Sequence, residues 1–102
     1  MATYIMNCLK SQIWIVMSWG FHEPIPIENG LQFSVEGFIH KGIVEVIYNE
    51  GVDLFEINLI KNGQIINHIA SVFIYELIDT LDCNIEKVEN YDERVKKEYS
   101  LL

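Results

Sequence analysis

Three glutamates, Glu36, Glu45 and Glu56, have the only spacing in this chain that suggests shared chemistry. They fall in three consecutive runs of alternating apolar and polar residues. If those runs are neighbouring strands, the three carboxylates share one face and repel one another. Carboxylates that are close and partly shielded hold their protons more tightly. Such a row could take a cation or act as an acid/base group. The competing reading is a wet outer face on which water screens the repulsion, and it is favoured because exposed carboxylates are common. The Asp-rich loop that calcium usually needs does not accompany the row. We expect no metal and no cofactor.

Other chemistry is sparse. The glycines stand singly at turns or strand ends, so no phosphate-cradling loop is present. Serines, cysteines and histidines occur, but none in a nucleophile motif. Cys8 and Cys83 lie far apart, with neither disulfide-framework nor zinc-finger spacing, and read as free, buried thiols in a reducing compartment. Asp79 and Asp82 lack the Glu-x-x-His pattern of metal-binding helices. Tyr4, Trp14 and Trp19 could stack on a ligand, though such aromatics usually fill a core. Catalysis is not expected.

The elements that carry these residues centre on residues 31–60, read as LQFSVEGF, IVEVIYNEG and VDLFEINLI with Gly-containing turns between them. The alternation predicts three antiparallel strands. Turns centred near His40-Lys41 and Glu50-Gly51 would set Phe33 opposite Tyr48, Val35 opposite Val46, and Val46 opposite Phe55. One face is then almost wholly apolar, as a specified register requires. Asn62-Gly63 is the strongest hairpin signal and predicts a fourth strand over residues 64–69. In that register Ile66 and His68 join the apolar face, where a lone histidine is usually a hydrogen-bonded core residue.

Flanking segments read as cover. Residues 3–19 predict a helix stopping at Gly20, with Ile5, Leu9, Ile13 and Val16 at helical spacing. Residues 21–30 hold Pro24 and Pro26 and read as a linker. Residues 71–82 predict a helix capped by Ser71, and residues 90–99 a second one. The fold class expected is α+β: an N-terminal helix, a four-stranded antiparallel meander, then two C-terminal helices packed on the sheet, with residues 1–102 as one domain.

The second face of this sheet is not purely polar. Phe38 and Ile43 would form one apolar row, and Ile47 and Leu54 another. A sheet face open to water alternates more cleanly, so something should cover it: the terminal helices, or a second copy of the chain. This leads to the main functional expectation, a non-enzymatic protein-binding or assembly module acting as a homodimer, with Phe38, Ile43, Ile47 and Leu54 as interface candidates. The net charge of −8 from 15 acidic and 7 basic residues counts against nucleic-acid and membrane binding. The same charge leaves an acidic inhibitor or nucleic-acid mimic as an alternative, and the glutamate row leaves a small enzyme as another. The longest apolar run, residues 13–19, is far short of the roughly 20 residues of a membrane span, and a cytoplasmic location is expected.

Overall fold

The computed structural model describes residues 1–86 and shows an α+β fold. Two short helices, α1 (Ala2–Lys10) and α2 (Ile13–Ser18), precede five strands: β1 (His22–Ile27), β2 (Gly30–Glu36), β3 (Lys41–Asn49), β4 (Leu54–Lys61) and β5 (Gln64–Val72). A 3₁₀ turn over Ile74–Glu76 leads into α3 (Leu77–Ile85). The strands form one antiparallel sheet in sequence order.

The expected N-terminal helix is present but broken. The Ser11 hydroxyl donates to the Cys8 carbonyl at 2.6 Å, and the Ser11 and Gln12 amides tighten onto Cys8 and Leu9. That local competition ends α1 at Lys10, well before the expected stop at Gly20, and Gln12 leaves helical geometry. Gly20, at φ +70°, then closes α2 as expected. Ile5, Leu9, Val16 and Trp19 are buried, and the Trp19 indole donates to Asp82 on α3 at 2.9 Å.

The meander has five strands where four were expected. The extra strand is the supposed linker: residues 22–27 pair with β2 through Ile25–Gln32, Pro26–Leu31 and Ile27–Gly30. An edge strand tolerates proline because one side of its backbone needs no partner. Gly30 closes this hairpin where no side chain fits, since a Cβ there would lie 2.1 Å from the Val46 carbonyl oxygen.

The central registers differ from those expected, by even steps. Phe33 faces Val44 rather than Tyr48, and Val46 faces Leu31 and Ile57 rather than Val35 and Phe55. An even slip keeps every side chain on its face. Leu31, Phe33, Val35, Val44, Val46, Phe55, Ile57 and Leu59 therefore still form the buried side, beneath Leu77, Leu81 and Ile85 of α3 and the apolar sides of α1 and α2. The cause of the first slip is distant in sequence. Residues 37–40 form the turn, and their backbone docks on the end of α3. Ile39 and His40 amides donate to the Ile85 carbonyl at 2.8 and 3.2 Å, and the Phe38 amide donates to Glu86 at 3.2 Å. The hairpin tip thereby satisfies a carbonyl that the helix end leaves orphaned. Gly37 is required by the close approach, its would-be Cβ 2.2 Å from the Ile85 oxygen. His40 is buried beside this contact and donates from Nε2 to the Ile43 carbonyl at 3.1 Å.

After β4 the expectation fails by an odd step. The Asn62-Gly63 turn forms, pairing Lys61 with Gln64 and Ile60 with Ile65. A bulge then intervenes, and Leu59 pairs with Asn67 and Asn58 with His68. One extra residue exchanges the faces of the strand beyond it, so Ile69 turns toward the core and His68 away. A second shift, between Phe55 and Ile57, exchanges the faces back, and the strand runs on to Val72, which is buried opposite Phe55. Ser71, at φ +60°, is a strand residue and not the expected helix cap. α3 begins six residues later than predicted, and the helix expected at residues 90–99 lies outside the described residues.

Candidate functional site

The candidate site is the outer face of the sheet together with the β5 edge on which that face ends. Its geometry follows from the registers above. Ser34, Ile43, Ile60 and Ile65 form one row across β2 to β5. Gln32, Glu45, Asn58 and His68 form the next, and Gly30, Ile47 and Glu56 the one after.

The middle row is hydrogen-bonded from strand to strand. Asn58 donates from Nδ2 to Glu45 Oε1 at 3.3 Å, and His68 donates from Nδ1 to Asn58 Oδ1 at 2.6 Å. Glu56 Oε1 stands 3.7 Å from His68 Nε2, an ion pair when the ring is protonated. Asn58 is almost fully buried and has both ends of its amide used, as a buried amide must. The row orients the imidazole as a base-orienting pair would, yet among the described residues no hydroxyl or thiol is paired with it. It fits a fastener that joins β5 to β4 and β3.

The three glutamates are placed apart. Glu36 pairs with Lys41 at the hairpin end, Glu45 faces Asn58, and Glu56 faces Ile47. The expected carboxylate row does not form, because the two slips carry its members into different rows. Among the described residues no cluster of three His, Cys, Asp or Glu stands close enough to hold a metal ion.

The interface candidates are likewise redistributed. Ile43, Ile47 and Leu54 lie half-buried on the outer face. Ile43 sits in the row with Ile60 and Ile65, while Leu54 pairs with Asn49 at the far end. Phe38 leaves the face altogether. It stands in the turn that caps α3 and is 76% exposed. Trp19 is core, Trp14 is exposed, and Tyr4 lies at a cleft described below. Cys8 is half-buried, and burial pushes its thiol above the ordinary range; Cys83 is exposed, contrary to expectation.

Sequence reasoning missed Asn58 and His68 as partners, and it missed the β5 edge. A signal was present. The doublet Ile65-Ile66 followed by Ile69 and Val72 breaks strict alternation, which is the mark of an inserted residue in a strand.

The edge itself has an unusual composition. β5 is nine residues long and holds no Asp, Glu, Lys, Arg or Pro. Ile65 and Ile66 are both more than half exposed. No helix among the described residues is long and apolar enough to cross a membrane. No protein-family model, curated protein or solved structure matches this chain.

Proposed function

We propose that this chain is a non-enzymatic assembly module that forms a homodimer by antiparallel pairing of β5 with β5 of a second copy. One observation carries the reading: among the described residues β5 is a long, uncharged, proline-free edge strand. Edge strands present unpaired backbone donors and acceptors, and proteins that stay monomeric blunt them with charge, proline or cover.

A second copy suits this edge better than another partner does. In a two-fold antiparallel pairing residue i meets residue j and residue j meets residue i, so a strand carrying charge of one sign would repel its copy across the junction. The chain carries −8 overall, yet its acidic residues are kept off this strand. The apolar row Ile43, Ile60 and Ile65 runs toward the same edge and would continue across the junction as one apolar band. The reading places the module in the cytoplasm, where free thiols stay reduced.

The test is molar mass in solution by light scattering over a dilution series. The full chain should weigh twice its 11.9 kDa, and Ile66→Lys should return it to a monomer with unchanged circular dichroism. A monomeric parent would sink the proposal. A dimer lost on Ile47→Asp but kept in Ile66→Lys would replace edge pairing with packing of the two outer faces.

A further inference from the structure

A cleft of ≈ 610 Å³ opens where the start of α1, the turn between β3 and β4, and the segment after β5 meet. Volumes of several hundred Å³ are typical of small-molecule sites. Its walls bring together Tyr4, Tyr48, Phe55, Phe73 and Tyr75, with the carboxylate of Asp53 among them. Tyr4 and Phe55 are nearly parallel at 6.3 Å, Tyr48 lies against Phe55 at 5.4 Å, and Phe73 stacks on Tyr75 at 5.2 Å.

Core filling accounts for Phe55, with Tyr48 packed against the core, but not for Tyr4, Phe73 and Tyr75. Tyr4 is 53% exposed, Phe73 45% and Tyr75 75%. The rings converge from four separate parts of the chain on one carboxylate. The Tyr48 hydroxyl donates to Asp53. That hydrogen bond, with desolvation and the negative charge of Asp53 and Glu50, holds the Tyr48 phenol above its ordinary value. The phenol stays neutral, and Asp53 supplies the one side-chain carboxylate in a lining that also includes Met1 with its α-amino group. No lysine or arginine is among the residues that line it.

Ring faces and a carboxylate together favour a cation. A strongly hydrated ammonium or metal ion gains little from ring faces, because it keeps its water. An alkylated ammonium is weakly hydrated and presents methyl groups to the rings. We propose that this cleft binds a small quaternary ammonium ion of the choline class, held by the aromatic walls and neutralised by Asp53. This site is independent of the β5 edge.

The experiment is titration of the full chain with choline, and separately with its neutral isostere 3,3-dimethylbutan-1-ol, followed by calorimetry and aromatic proton shifts. Choline should bind, and the isostere should bind about tenfold more weakly, since only the cation gains from the ring quadrupoles and the carboxylate. Asp53→Asn and Tyr75→Ala should each weaken choline binding about five- to tenfold. Both variants should keep the fold, because Asn accepts the φ of +56° at residue 53 and Tyr75 is a surface side chain. Equal binding of choline and the isostere would overturn the proposal. So would unchanged affinity in Asp53→Asn, or no shift of the tyrosine resonances at any choline concentration. A trimethyl-lysine peptide that bound far more tightly than choline would move the proposal from a free ion to a protein side chain.

Discussion

The two edges of the sheet are opposites. β1 is six residues long, holds Pro24 and Pro26, bends at a bulge between His22 and Ile25, and places Glu23 at φ +52°. The short length, the prolines and the charge of Glu23 spoil this edge for pairing with another chain; the bulge and the positive φ do not set it apart, since β5 is also bulged against β4 and holds Ser71 at φ +60°. β5 is half as long again, with neither proline nor fixed charge. Among the described residues one edge is closed and the other open, so pairing is expected to be one-sided. A module closed on one side makes dimers, whereas one open on both sides grows without limit.

The largest expected effect tests what anchors the closed edge. Gly30→Ala places a methyl group against the Val46 oxygen and should cost about 3 kcal/mol in urea denaturation. Full stability in that variant would mean that β1 can shift freely, and its closure would not be structural. Next comes the open edge. Ile66→Lys should weaken the proposed dimerisation by about a hundredfold, on the order of 3 kcal/mol, while monomer stability changes by less than about 0.5 kcal/mol.

A third variant asks what holds β5 in place. Asn58→Ala strips Glu45 and His68 of their shared partner and should cost about 1–3 kcal/mol. Amide exchange should rise along β5 and remain unchanged along β1. Equal loosening of both edges would show that the polar row does not act as the β5 fastener. The smallest effect is expected from the double change Pro24→Thr and Pro26→Thr. Restoring two backbone donors should add weak association at high concentration, worth about 0.5 kcal/mol. If this variant formed a stable dimer of its own, proline would be the main reason that β1 stays closed.

The faces of the central strands were legible in the sequence. Leu31, Phe33 and Val35, then Val44 and Val46, then Phe55, Ile57 and Leu59, alternate as expected and are all buried. Their registers were not legible. Alternation has a period of two and is blind to even slips. The choice among them rests on the docking of residues 37–40 against Ile85, far along the chain. Alternation is sensitive to an odd step, but only if the bulge is recognised, and the expected placement of His68 on the apolar face failed there. β1 escaped notice because a strand rich in proline is plausible only at an edge, and edges are defined by what the rest of the sheet does.

The sequence by itself determined an α+β chain, the apolar face of three strands, the Asn62-Gly63 turn and the stop at Gly20. All of these depend on residues within a turn or two of one another. Only the tertiary structure decided the strand registers, the reversal of faces in β5, the contrast between the two edges, and the gathering of Tyr4, Tyr48, Phe55, Phe73 and Tyr75 around Asp53. The physical reason is the same in each case. Local pattern sets which side of a strand is apolar, whereas contacts between distant segments set which residues stand opposite one another.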